Sequence, residues 1–277
     1  MIKLVAMDLD GTLLSGDKGV TEYTARVLRA CEEKGVKMVI ASGRGFDSAR
    51  VFARIAGLNS PIVSANGARA DETPFGPTIL EDCIPEDVSR DVCRIMLESG
   101  IYFVCYCRGV NYSANGTEIK RGIMPKQVVD DGKFTVRNTL DLDGLLSEGV
   151  KRPYKYVAFT WDLEALAKLR ERLEREIDAA ISSSWADNVE VLAKGCGKGK
   201  AIGFLAERYG IKKEEIMAFG DQENDRDMLL SAGWPVAMEN AVDGLKKIAR
   251  VIAPKNTEDG VAKVLEKMVL NGEVQQR

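Results

Sequence analysis

Two carboxylates two residues apart, Asp8 and Asp10, stand in the run Asp8-Leu9-Asp10-Gly11-Thr12. One acid of such a pair can attack an electrophile while the other hands a proton to the leaving group. A second run, Gly220-Asp221-Gln222-Glu223-Asn224-Asp225, sets Asp221 at a strand end, with Asn224 and Asp225 three and four residues on in the first turn of a helix. Three oxygen-bearing side chains so spaced suit a hard cation such as Mg²⁺. Taken alone, the same run also reads as an acidic helix start favoured by the macrodipole. Ser42-Gly43-Arg44 offers a small hydroxyl and a backbone N–H that can hold a phosphoryl oxygen, although Ser-Gly is also an ordinary turn. Lys194-Gly-Cys-Gly-Lys198-Gly-Lys200 departs from a nucleotide-binding P-loop, because position 194 is Lys rather than Gly and Ala201 follows Lys200. Its glycines can instead present a lysine to an anion. There is no histidine in the sequence. Ser-His-Asp and Cys-His hydrolysis and His-ligated zinc are thereby excluded, which leaves carboxylates, hydroxyls, amines or a bound metal to carry any catalysis.

Each of these runs follows an apolar segment that reads as a strand. Ile2 to Met7 ends in the first acidic pair, Val36 to Ala41 in Ser42, and Ile216 to Phe219 in the second acidic run. Helices are predicted from Thr21, as cap, to Glu33, from Phe46 to Ala56 and from Lys198 to Tyr209, with a third strand over Pro61 to Ala65. Strands and helices alternating at short spacing indicate a doubly wound parallel sheet, a Rossmann-like α/β core, in which ligands bind beyond the carboxyl ends of the strands. On a projection of about 100° per residue, Ile202, Leu205 and Tyr209 fall within about 40° of Lys198, and Lys200 points about 160° away. Lys198 is therefore expected on the buried stripe and Lys200 toward solvent.

Between about Cys83 and Trp185 the pattern changes to long strands with few helices, which suggests an inserted α+β segment on an antiparallel sheet. The domains expected are 1–82 with 188–277 for the core and 83–187 for the insert. The strand Val189 to Ala193 is assigned to the resumed core alternation, and a helix is placed over Asp225 to Ala232.

The 277 residues are 45% hydrophobic and 29% charged, the composition of a globular protein large enough for one big domain or two modest ones. A net charge of −3 gives no basic footprint for a nucleic-acid backbone. No apolar run approaches the ~20 residues of a membrane span. Six cysteines without a signal-peptide pattern or a CxxC pair read as reduced thiols in a cytoplasmic protein. Oligomeric state is not legible.

An acidic pair, a serine after the second strand, a lysine before a later helix and a GDxxND run, in that order, together resemble the haloacid dehalogenase superfamily of phosphatases. The large insertion, with Asn66-Gly67-Ala68 after the third strand, resembles its Cof-type branch, whose cap domain is inserted there. Superfamily dehalogenases themselves lack the second acid, so Asp10 argues against dehalogenation. The resemblance implies a Mg²⁺-dependent phosphatase of small phosphomonoesters, sugar phosphates or phosphorylated cofactors, acting through an aspartyl-phosphate. It implies Asp8 as nucleophile and Asp10 as acid and base. Mg²⁺ would be held by the Asp8 carboxylate, the Asp10 carbonyl, Asp221 and Asp225, with Ser42, Gly43, Lys198 and Asn224 on the phosphoryl oxygens. Arg44, Asn66 and Lys194 are candidates for substrate contact. The insert adds Tyr102, Tyr106, Arg108, Tyr112, Lys120, Arg121 and Lys126 as candidates to face a leaving group. A phosphotransferase or mutase shares the same motifs, and a phosphoaspartate receiver domain uses similar residues without a cap.

Overall fold

A computed structural model of the chain describes residues 1–16, 19–108, 111–115, 136–138 and 152–273. Lys120, Arg121 and Lys126 lie outside the described residues. Among these residues the strands are β1 (Leu4–Met7), β2 (Lys37–Ala41), β3 (Ile62–Ser64), β4 (Arg69–Asp71), β5 (Thr78–Glu81), β6 (Phe103–Tyr106), β7 (Asn111–Ala114), β8 (Val136–Asn138), β9 (Lys155–Phe159), β10 (Ala180–Ser182), β11 (Asn188–Leu192), β12 (Ile216–Gly220), β13 (Trp234–Met238) and β14 (Val251–Ala253). The helices are α1 (Glu22–Glu33), α2 (Phe46–Ala56), α3 (Glu86–Glu98), α4 (Leu163–Glu176), α5 (Lys198–Tyr209), α6 (Arg226–Ser231), α7 (Asp243–Lys246) and α8 (Gly260–Leu265).

Contacts divide the chain into two units, Met1–Leu80 with Gly197–Arg277, and Glu81–Cys196. The first is built on a sheet in the order β14-β13-β12-β1-β2-β3-β4-β5. The strands from β14 to β3 run parallel, and β4 turns back antiparallel on β3. β1 lies at the centre, with Leu4 opposite Ile216 on one side and Lys37 on the other. Its four residues are all buried, which is why it reads as a continuous apolar run rather than an alternating one. α1 packs against α2 and α8, and α5 against α6, which gives the doubly wound α/β arrangement. Local signals fix the helix ends: Thr21 caps α1 by accepting from the Thr24 N–H, and α2 closes at Gly57 in the left-handed region.

The inserted unit is α+β, with sheet order β10-β11-β9-β6-β7-β8. Its pairs are antiparallel except β7 with β8. α3 and α4 pack on each other, and the Tyr156 hydroxyl lies 2.8 Å from that of Ser89 on α3. Two sequence expectations need correcting. The strand at 188–192 does not return to the parallel sheet: β11 pairs antiparallel with β9, Asn188 opposite Phe159 and Leu192 opposite Lys155. The division therefore falls between Cys196 and Gly197 rather than near 188. Asp225 also precedes its helix instead of lying in it, because Glu223–Asp225 form a separate 3₁₀ turn before α6. All six cysteines are free, and Cys105 Sγ lies 3.7 Å from Cys107 Sγ. Among the described residues no helix is long and apolar enough to cross a membrane.

Candidate active site

β1 ends at Met7, and the chain then makes a wide turn closed by the Leu13 N–H on the Asp8 carbonyl and the Leu14 N–H on the Leu9 carbonyl. Gly11 carries this turn at φ +83°, and a Cβ there would lie 2.3 Å from Asp221 Oδ2. Only glycine meets both demands. Asp8 is thus delivered to the carboxyl end of the central strand. Asp221 follows β12, the strand hydrogen-bonded beside it.

Asp8, Asp221 and Asp225 are all buried, and one carboxylate oxygen from each lies within 4.8 Å of the others. Lys198 is fully buried, donating to Asp8 Oδ1 at 2.7 Å and Asp225 Oδ1 at 2.6 Å. The second oxygen of Asp225 accepts the backbone N–H groups of Asp221 and Gln222 at 3.0 and 3.1 Å, which fixes that carboxylate. The Thr12 hydroxyl donates to Asp221 Oδ1 at 2.7 Å. Burial is the largest influence on these groups. It pushes the Asp8 carboxyl well above its ordinary range against the pull of Lys198, with Asp225 and Asp221 adding to the rise. Burial, aided by the charge of Asp225, raises Asp221 from 3.8 to about 7. For Lys198 burial opposes the charge, but the Asp225 and Asp8 carboxylates outweigh it and hold the ammonium well above its ordinary value. Three buried acids thus share one ammonium, and the cluster has more negative charge than it can comfortably ionise. Its donors are all carboxylate oxygens. A hard divalent cation satisfies both the donor chemistry and the charge.

Asp10 faces a different partner. The Arg44 guanidinium grips its two oxygens in a fork, Nε to Oδ2 and Nη2 to Oδ1, each at 2.6 Å. Arg44 is itself braced by the Ser48 hydroxyl at 3.2 Å and by the Phe52 ring, 5.1 Å away. Buried Ser42 follows β2 directly, and its Oγ accepts the Arg44 N–H at 3.1 Å. Asn224 donates through Nδ2 to Asn66 Oδ1 at 3.1 Å, and Gly43 packs against that same Asn66 oxygen. The structure therefore brings Asp8, Asp221, Asp225 and Lys198 into one cluster, ties Asp10 to Arg44, and links Asn224, Asn66 and Gly43. Lys194 belongs to the inserted unit, where its ammonium lies 2.8 Å from Asp178 in an exposed pair. The projection that separated Lys198 from Lys200 holds: Lys198 is buried and Lys200 exposed.

Some supporting residues were not singled out from the sequence. Asn240, after β13, donates to the Gly11 carbonyl at 2.8 Å. Asn256, after β14, reaches the Leu14 carbonyl at 2.8 Å and donates its N–H to Asn240 Oδ1 at 3.1 Å. Asp227 accepts the Gly199 N–H at 2.7 Å in the first turn of α5. The signal for the asparagines was their place just after core strands, where the sheet sets its ligands.

Residues 5–265 match the sequence profile of the haloacid dehalogenase-like hydrolases. The chain is 28% identical to the 5-amino-6-(5-phospho-D-ribitylamino)uracil phosphatase YwtE of Bacillus subtilis, over 97% of this chain and 98% of that protein. It is 27% identical to the pyridoxal phosphate phosphatase YbhA of Escherichia coli, over 95% and 97% respectively. Among solved structures, a haloacid dehalogenase-like hydrolase from B. subtilis superposes with a TM-score of 0.86 at 25% identity, covering 97% of this chain and all of that one. TM0651 from Thermotoga maritima superposes with a TM-score of 0.77 at 31% identity, over 96% of this chain and 97% of that one. With a profile matched over nearly its whole length, the chain belongs to the haloacid dehalogenase-like hydrolases.

Proposed function

We propose that the protein is a Mg²⁺-dependent phosphatase that hydrolyses small phosphomonoesters through a phosphorylated Asp8. The observation that carries this is the buried cluster of Asp8, Asp221 and Asp225 around a single lysine, beside a second acid held in an arginine fork. Asp8, Asp221 and Asp225, with the Asp10 carbonyl, would hold the ion. When bound, Mg²⁺ supplies the positive charge that lets a carboxylate approach a phosphate dianion.

The Asp8 carboxylate oxygen attacks phosphorus as the bond to the leaving oxygen breaks, and that oxygen takes the proton carried by Asp10. Water then attacks the phosphorus of the aspartyl-phosphate and gives a proton back to Asp10. Inorganic phosphate leaves, and both aspartates are restored. Ser42, Gly43, Lys198 and Asn224 hold the phosphoryl oxygens, and Lys198 also stops Asp8 from turning away from the site. Arg44 holds Asp10 in place through both its oxygens, and one arm of that fork must let go for Asp10 to carry a proton. The relatives' names, a phosphoribitylaminouracil phosphatase and a pyridoxal phosphate phosphatase, support trying phosphorylated cofactors and phosphorylated heterocycles of that kind first, with sugar phosphates second.

Phosphate release over a panel of such esters, in Mg²⁺ and in excess EDTA after dialysis, is the test. Release confined to the Mg²⁺ arm is expected, and undiminished turnover in EDTA would overturn the metal dependence. Phosphate accumulating on a sugar acceptor instead of in solution would replace hydrolysis by transfer.

A further inference from the structure

The connection after β3 passes through three successive residues in the left-handed region: Ala65 at φ +49°, Asn66 at +54° and Gly67 at +96°. Two of them carry side chains, for which this backbone is uncommon, and it persists only where the surroundings impose it. The Ala65 N–H donates to the Arg44 carbonyl at 2.8 Å and the Asn66 N–H to the Ser42 carbonyl at 3.0 Å. Among the described residues the hydroxyl of buried Ser64, at the strand end, has no hydrogen-bond partner and lends the turn no hold.

What the turn touches is specific. Asn66, itself buried, offers Oδ1 to Asn224 Nδ2 at 3.1 Å. That oxygen lies 2.8 Å from where a Cβ on Gly43 would stand. A Cβ on Gly67 would lie 2.1 Å from the Gly197 carbonyl oxygen and 3.0 Å from the backbone nitrogen of Lys198. Three residues thus abut the loop after β2, the loop that starts α5 and the loop after β12. Those three loops carry Ser42 and Gly43, Lys198, and Asn224. The backbone N–H groups of Ala65 and Asn66 are spent inside the protein, so this turn acts on its neighbours by position.

We infer that Asn66 is a positioning residue for the phosphoryl-binding loops: its left-handed backbone aims Oδ1 so that Asn224 and Gly43 are set against each other before substrate arrives. This inference rests on the phosphatase reading above and adds to it the element that holds three separate loops in register.

A plain structural role, a strained strand end with a buried amide, makes the opposite prediction for Asn66→Gly. Glycine takes φ +54° without strain, so the substitution keeps the turn and removes only the side chain. The test is a double-mutant cycle of Asn66→Gly and Asn224→Ala, read by thermal unfolding and by orthovanadate binding in Mg²⁺. Asn66→Gly is expected to lower the unfolding midpoint modestly, through the lost Asn224 hydrogen bond and the freer unfolded chain, while weakening vanadate binding by about tenfold. Combined with Asn224→Ala it is expected to add less than about twofold to the loss from Asn224→Ala alone. Wild-type vanadate affinity in Asn66→Gly, multiplicative losses in the double variant, or a collapsed unfolding midpoint would each overturn the inference. A wild-type protein that neither binds vanadate nor releases phosphate would instead sink the phosphatase reading and take this inference with it.

Discussion

Each of the two units buries a lysine, and the two are solved differently. In the inserted unit Lys155 meets Glu190 on the adjacent strand at 2.7 Å, both nearly inaccessible. Ser184 Oγ adds a hydrogen bond at 3.2 Å, and the ammonium lies 5.0 Å from the centre of the Tyr106 ring. Among the described residues one carboxylate there faces one buried ammonium. In the core unit Lys198 meets Asp8 and Asp225, with Asp221 in the same cluster. A matched buried pair can serve the fold alone. An unbalanced one has room for a further positive charge, and carboxylates perturbed in this way gather at functional sites.

The comparison can be broken most decisively at Asp8. Asp8→Asn is expected to lower phosphate release by at least about 10⁴-fold, since an amide is no nucleophile. In EDTA the same variant should unfold at a temperature no lower than wild type, because it removes one charge from an overfilled cluster. Turnover within tenfold of wild type would refute the covalent route.

Glu190→Gln should do the reverse. Removing the Glu190 charge takes from buried Lys155 the carboxylate it meets, with an expected loss of about 3–5 kcal/mol in stability. Denaturant unfolding at pH 7 measures it. A loss below about 1 kcal/mol would show that this pair does not support the fold of its unit.

Asp221 sharpens the contrast through pH. Its folded-state value near 7 lies above the ordinary 3.8, so the folded protein keeps a proton there that the unfolded chain releases. In chelator, stability should therefore decline as pH rises from about 4 to about 7 and then level off. Asp221→Asn keeps an acceptor for Thr12 and should flatten that decline, gaining up to about 4 kcal/mol over wild type at pH 8 and little at pH 4. Added Mg²⁺ should stabilise wild type more than the variant. A variant less stable than wild type in EDTA at pH 8 would contradict the charge imbalance.

The smallest effect belongs to the surface. Lys168 pairs with Glu164 at 2.6 Å on the exposed face of α4, and Lys168→Ala should change stability by less than about 0.5 kcal/mol. A larger loss would mean that exposure is a poor guide to which charges matter here.

Much of this was legible in the sequence, because local periodicity encodes it. The run of apolar residues at four- and three-residue steps from Lys198 told which lysine would be buried, and Phe46–Ala56 folds within the bounds its Gly57 stop implied. What stayed hidden was pairing. Asn188–Leu192 is buried throughout, so its pattern suits a central strand in either sheet, and only the partner β9 decides. The fork on Asp10 was hidden for the same reason: Arg44 was placed near the site by its strand, but nothing local aims a guanidinium at a carboxylate 34 residues away. The positive φ at Ala65 was unreadable too, since alanine gives no hint of a conformation that only its surroundings impose.

The central place of β1 has a consequence for how the molecule is made. Its hydrogen-bonded neighbour β12 is encoded some two hundred residues later, Leu4 opposite Ile216. At ribosomal speeds of about 5–20 residues per second, the nascent chain carries Asp8 for roughly 10–40 s before Asp221 exists. During that interval the strand that will form the heart of the sheet has one flank unpaired, exposed to aggregation and to chaperones. The inserted unit, a contiguous stretch, ends at Cys196 and so is complete a few seconds before Asp221 is made. Catalytic competence is thus among the last properties the chain acquires, and unfinished chains cannot turn over phosphate esters however well their earlier parts have folded.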